Sequence, residues 1–125
     1  MRRIPMDANT RLVSRFEDEF KNKINHDIVD ELMAEDFVHH LPYPGLPPGP
    51  AGMKAVGQFV TSVLRDIQVT VTLAISEGDL VADRVEASGV RVDNGERIEW
   101  VENHFYRVIH GRITELWPAG GPDLR

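Results

Sequence analysis

The sequence predicts an α+β domain in which an antiparallel sheet curls over helices that precede it. Three observations carry this prediction. Apolar residues recur at spacings of three and four through the first quarter of the chain and again after a proline-rich loop. From Gln68 onward the apolar residues alternate with a period of two. Tight-turn residues then punctuate the alternating segments, so the strands form a meander. A sheet curled over helices makes a cone, and a cone leaves a cavity at its open end.

The first helix is predicted over Thr10 to Lys23. Leu12, Val13, Phe16 and Phe20 form one stripe, with Ile24 just beyond, and Asn9 is placed to cap the first turn. A short second helix covers Asp27 to Met33, and Phe37 to Leu41 reads as a short strand. Pro42 to Pro50 holds five of the eight prolines. Proline lacks an N–H and fixes φ, so this stretch is an ordered loop, whose Tyr43 and Leu46 could cap a pocket mouth or simply pack on the helices. Gly49-Pro50 opens a third helix, with Met53, Val56, Phe59, Val60, Val63 and Leu64 on its inner face. Strands follow at Gln68–Ile75, Leu80–Val92, Arg97–Ile109 and Arg112–Trp117.

The chain of 125 residues suits one domain, residues 1–125. A formal charge of −6 argues against a nucleic-acid partner, which would need a basic face, and equally against an anionic membrane surface. With no cysteine there is no disulfide, thiolate nucleophile or zinc–thiolate site, and a cytoplasmic home is the simplest expectation. No apolar run approaches the ~20 residues that span a bilayer. Met1 to Asp7 carries two arginines with no apolar stretch behind them and does not read as a signal peptide.

Glu35-Asp36-Phe37-Val38-His39-His40, the Pro-Gly-Leu-Pro-Pro-Gly-Pro run, Glu99-Trp100, and His104-Phe105-Tyr106-Arg107-Val108 with Gly111 to Trp117 resemble the SnoaL-like polyketide cyclase family. The resemblance runs from about Leu12 to Trp117 and implies the NTF2-like cone: a curved sheet wrapped on three helices, often dimeric, with a pocket inside. It places His39 on a pocket asparagine of the cyclases, His104 on a pocket histidine and Glu102 on a polar pocket residue. The family's acid–base aspartate falls on Pro118, and a supporting histidine of that strand on Leu116. Asp83-Arg84-Val85-Glu86 also resembles the Arg-x-Asp strand motif of epoxide hydrolases of the same superfold, with Glu86 as the acid.

Two groups of residues carry chemistry. Arg84 and Glu86 share one face of a strand, ~6.5–7 Å apart along it, as either a pocket acid held by a guanidinium or an exposed ion pair. Trp100, Glu102, His104 and Tyr106 share another face, and histidine is the usual base near neutral pH. Hairpin register decides whether the groups meet. A two-residue Asn94-Gly95 turn would point Arg84 and Glu86 away, whereas a three-residue Asp93-Asn94-Gly95 loop would bring all four polar residues together. The three-residue loop agrees with both family placements and is the expected one. His39 and His40 point to opposite faces and cannot share a metal; a metal held by His39, His104 and Glu102 is not expected, nor is a cofactor. His26 and His110 read as exposed turn residues.

The expected function is therefore a cofactor-free acid–base enzyme acting on a small, mostly apolar, oxygenated molecule, of cyclase, isomerase or epoxide-hydrolase type. Glu86 and His104 are the candidates for proton transfer, Arg84 and His39 for orientation, Glu102 for substrate contact, and Trp100, Tyr106 and Phe16 for the pocket wall. The alternative is a non-catalytic binding or dimerisation module, because Pro118 cannot move protons. Val101, Asn103 and Phe105 on the convex face would leave apolar surface exposed, so a homodimer through the sheet is expected.

Overall fold

A computed structural model describes residues 7–41 and 43–124; Met1 to Met6, Pro42 and Arg125, and with them the arginine-rich start, lie outside the described residues. Helix α1 spans Ala8–Glu17 and passes without a break into a π-helical turn, Asp18–Asn22. Its cap is Asp7 rather than Asn9: Asp7 Oδ1 accepts from the Thr10 N–H at 2.7 Å. Val13, Phe16 and Phe20 are buried as the periodicity requires. The π-turn adds one residue per ring of hydrogen bonds, which changes the face that Lys21 presents.

Helix α2, Ile28–Leu32, runs directly into strand β1, Met33–His39, which starts four residues earlier than its composition suggests. Helix α3, Gly49–Val63, has proline in its first turn, where a missing N–H costs nothing. Its inner face is built from Gly52, Met53 and Gly57, while Phe59, expected inside, is 48% exposed and packs edge-on against Tyr43. Four strands follow: β2 Leu64–Glu77, β3 Leu80–Arg91, β4 Arg97–Ile109 and β5 Arg112–Gly120.

The sheet order is β1-β5-β4-β3-β2, antiparallel throughout except that β1 adds in parallel to the outer side of β5. Register shifts interrupt β2 between Arg65 and Gln68 and between Val71 and Leu73, and another lies between Arg107 and Val108 of β4. Such bulges add local twist, and they bend the sheet into a curved, unclosed layer over the helices. The result is the expected NTF2-like α+β cone. Phe16, Val29, Val81, Tyr106 and Ile113 sit at the centre of its main apolar core. Among the described residues, no helix is long and apolar enough to cross a membrane.

The β3–β4 hairpin corrects the expected loop. Arg91 N–H donates to the Glu96 carbonyl at 2.8 Å, and Gly95 N–H, at φ +72°, donates to the Arg91 carbonyl at 2.9 Å. Four residues, Val92 to Gly95, therefore close the turn. Asp83 pairs with His104, Arg84 with Asn103 and Glu86 with Val101. A loop with an even number of residues keeps the parity of the two-residue turn, so Arg84 and Glu86 face outward.

Candidate active site

A cavity of about 750 Å³ opens between the concave face of the sheet and helices α1 and α3. Its helical side is apolar, with Phe20, Ile24, Met53, Val56 and Val60. Its polar groups gather on β4, where alternation brings Trp100, Glu102, His104 and Tyr106 to one face, as expected from their spacing. Lys21 reaches the same place from the π-turn.

His104 is buried, and each of its ring nitrogens meets a carboxylate. Nδ1 lies 2.7 Å from Asp83 Oδ1 and Nε2 lies 3.0 Å from Glu102 Oε1. An ionised carboxylate only accepts, so with Asp83 and Glu102 both ionised each ring nitrogen carries a proton and the ring is an imidazolium. Burial opposes that charge, but the hydrogen bonds to Asp83 and Glu102 outweigh it and raise the pKa to about 9. The raised pKa favours the protonated ring, so at neutral pH the ring presents N–H donors to both carboxylates.

Glu102 accepts from three donors: Lys21 Nζ at 2.9 Å, Trp100 Nε1 at 2.6 Å and His104 Nε2 at 3.0 Å. Burial would favour its neutral form, but the Lys21 charge and these bonds prevail and hold it well below the ordinary carboxylate range. Lys21 also pairs with Glu17 Oε2 at 2.6 Å, and the Tyr106 hydroxyl donates to Glu17 Oε1. Burial, followed by the Glu17 charge, pushes the tyrosine pKa up, so Tyr106 stays a neutral donor. Asp83, whose Oδ2 has no hydrogen-bond partner among the described residues, has its pKa raised by burial. Glu17, Asp83 and His104 offer three ligand atoms within 4.8 Å of one another, but Lys21 and Tyr106 already engage Glu17 and a proton engages His104.

The His104 charge makes a testable claim. Its partners are Asp83 on β3, Glu102 on its own strand, and Glu17, 3.4 Å from Nδ1, on α1; the cation of Lys21 works against its charge. Because its pKa is higher in the folded than in the unfolded chain, the stability it adds is complete below about pH 6.5 and is lost as pH rises through about 9. The imidazole carbon-bound proton resonance of His104 is expected to stay at its protonated position through pH 8 and to titrate near 9. A midpoint at or below 7 would contradict the double carboxylate contact.

A family description, SnoaL-like polyketide cyclase, matches residues 11–120. The chain belongs to the SnoaL-like polyketide cyclase family. Among solved structures it is similar to IdmH of Streptomyces antibioticus, a proposed polyketide cyclase, at 28% identity, with 91% of this chain and 92% of that one covered and a TM-score of 0.79. A proposed polyketide cyclase of Bacillus cereus shares the fold at 22% identity and TM-score 0.81, over 90% of this chain and 73% of the other. AclR of Streptomyces galilaeus, a proposed hydroxylase, shares it at 19% identity and TM-score 0.78, over 97% and 82%. No curated protein sequence matches the chain.

In this SnoaL-like chain the structure brings together His39, Trp100, Glu102, His104 and Tyr106 on the cavity wall. It does not bring Arg84 or Glu86 to them. They form an ion pair of 3.3 Å on the outer face, with Arg84 also donating to Thr72 at 3.0 Å. Phe16 lies behind the wall, fully buried and stacked on Phe20, so of these two rings Phe20 meets the cavity. His26, expected in the open, lines the cavity too; its ring lies 5.1 Å from that of Phe20, over Gly57, where a Cβ would stand 2.8 Å from the imidazole. Tyr43 lines the cavity from the proline-rich loop, whereas Leu46 does not. Pro118 occupies the place opposite His104 on β5 and contributes only apolar surface. Glu17, Lys21 and Asp83 complete the polar cluster and were not anticipated.

Proposed function

We propose that this chain is an acid–base enzyme that enolises a ketone-bearing, largely apolar small molecule, as a ring-closing or isomerising reaction requires. The observation that carries this is the His104 imidazolium held against the Glu102 carboxylate at a cavity wall. A substrate carbonyl oxygen that takes the His104 Nε2–H displaces one of the three donors on Glu102. Losing that donor raises the basicity of Glu102 beside the carbon next to the carbonyl. The carboxylate removes a proton there, and the charge that develops on the substrate oxygen meets a fixed N–H in a site of low polarity. Asp83 keeps the imidazole oriented, and Trp100 and Lys21 hold Glu102.

The test is deuterium exchange at carbons beside the carbonyl of a panel of aryl ketones, followed by NMR in heavy water. Wild type should exchange faster than buffer, and Glu102→Gln should not. Tight ligand binding with no exchange by wild type would favour a binding module, the reading that Pro118 in the acid position supports.

We also propose a homodimer through the outer sheet face. Phe105, Ala82 and Ile75 lie in one cross-strand row, and Phe105 and Ile75 are 57% and 71% exposed. Light scattering at high micromolar concentration should give twice the chain mass, and a monomer would refute the interface.

A further inference from the structure

The turn between α1 and α2 holds a strained residue. Lys23 N–H donates to the Asp18 carbonyl at 3.0 Å and Asn25 N–H to the Glu19 carbonyl at 2.8 Å, with Asn25 Nδ2 also on Glu19 Oε2 at 3.2 Å. Between these contacts Ile24 stands at φ +56°. A left-handed residue just past a helix end is usually glycine, and a β-branched side chain there is strained. Burial does not explain the isoleucine, which is 42% exposed. Its side chain lines the cavity, and strain of this kind clusters at ligand sites.

Two residues on, the chain brings His26 to the same cavity. Its ring lies 5.1 Å from that of Phe20 and over Gly57. A Cβ at Gly57 would stand 2.8 Å from His26 Cδ2 and Nε2 and 2.8 Å from Phe20 Cζ, closer than Cβ contacts come. Glycine inside α3 weakens the helix, so a second unfavourable local choice makes room for this imidazole. No hydrogen bond from the described residues reaches either ring nitrogen. Partial burial, against a weaker opposing pull from Asp27, holds the His26 pKa below the usual histidine value. The ring is therefore neutral at pH 7, with one nitrogen that donates and one that accepts. It sets a polar edge beside the apolar Phe20, Met53, Val56 and Val60.

We infer that the Ile24–His26 turn is a ligand-recognition element, in which His26 binds an uncharged hydroxyl group on the part of the ligand that lies against the helices, across the cavity from β4. This rests on the reading that the cavity takes a ketone-bearing apolar molecule, and it is independent of proton abstraction by Glu102. A neutral imidazole has no charge to attract a carboxylate or phosphate, and the Asp27 carboxylate nearby opposes one. A hydroxyl both donates and accepts, so it matches whichever ring nitrogen faces it. Phe20 and Ile24 supply the apolar surface that an aryl ring carrying the hydroxyl needs.

The experiment measures binding by calorimetry of two compounds: a naphthyl methyl ketone, and the same ketone with a hydroxyl on the ring remote from the acetyl group. Wild type should bind the hydroxyl compound roughly three- to tenfold more tightly, the net worth of one hydrogen bond. That compound should also move a His26 ring nitrogen resonance that the parent ketone leaves in place. His26→Phe keeps a ring on Phe20 and removes both nitrogens, and the preference should fall below about twofold. His26→Gln restores a neutral donor and acceptor and should keep most of it. Ile24→Gly should raise the thermal midpoint, because the strain is gone, while both compounds bind roughly three- to tenfold more weakly for want of apolar contact. A structural Ile24 predicts the reverse, and earlier unfolding with unchanged affinity overturns the recognition element. Equal binding of the two compounds by wild type, or a preference that survives His26→Phe, overturns the hydroxyl assignment. Wild type that binds neither compound overturns the ketone reading of the cavity and this inference with it. The expected preference in a protein that exchanges no deuterium supports this inference and removes the enolisation alone.

Discussion

Glu102→Gln is expected to lower turnover by roughly 10²–10⁴, the range over which a positioned acid or base contributes. The substitution keeps the shape of the side chain and removes its ability to take a proton. It also forces one amide N–H₂ into a place where three donors already converge: Lys21 Nζ, Trp100 Nε1 and His104 Nε2. One donor then faces another, and a loss of roughly 1–3 kcal/mol in stability is expected alongside the kinetic loss. The two effects separate experimentally. Thermal unfolding reads the first, and deuterium exchange at saturating ketone, below the unfolding range, reads the second. The substitution also strips His104 of one anionic partner, so its titration should move down from about 9. Full exchange activity in a folded Glu102→Gln protein would remove Glu102 from the chemistry. Glu86→Gln serves as the outer-face comparison. Its carboxylate contacts Arg84 on the side of the sheet turned away from the cavity, and exchange should be unchanged.

The part of this architecture that depends on local rules was legible in the sequence. The stripe of Val13, Phe16 and Phe20 made a helix, Pro50 opened another, and alternation from Gln68 onward made strands. Strand ends were harder, because pairing and bulges extend strands beyond what composition favours. Strand β2 begins at Leu64 and tolerates Asp66 at φ +53° because a bulge sits there. Strand β5 continues through Pro118 because β1 stops pairing near Leu116, so the missing N–H has no partner to disappoint on that side.

At the site, the period of two was enough to gather Trp100, Glu102, His104 and Tyr106. The error over Arg84 and Glu86 was one of parity. A single residue in the loop length decides which face of β3 looks inward, and loop length is set by backbone geometry at Gly95 that composition does not specify. With the four-residue loop, the inward set becomes Val81, Asp83, Val85 and Ala87. An aspartate among inward valines is then a buried acid in need of a partner, and His104 is opposite. Glu17 and Lys21, four apart, look like an ordinary surface pair on a helix. Tertiary packing and the π-turn put them inside, which no i,i+4 pattern announces.

Lys21→Met is expected to be the most destabilising single change in the polar cluster, by about 3–5 kcal/mol. The Lys21 ammonium bridges the two carboxylates, 2.6 Å from Glu17 Oε2 and 2.9 Å from Glu102 Oε1. Burial disfavours its charge, but the two carboxylates overcome that and raise its pKa. Glu17 is 0% exposed, so without Lys21 its carboxylate keeps, among the described residues, the Tyr106 hydroxyl and the more distant His104 ring. An uncompensated buried anion costs more than the ion pair contributed, which is why removing one partner is severe. Replacing both is a different matter. Lys21→Met combined with Glu17→Gln removes the cation and the anion together, leaves an amide to accept from Tyr106, and should regain more than half of the loss. Urea unfolding of the single and double variants measures both values. A Lys21→Met protein within 1 kcal/mol of wild type would mean that water reaches Glu17, and the cluster would then be a solvated surface network and not a buried one.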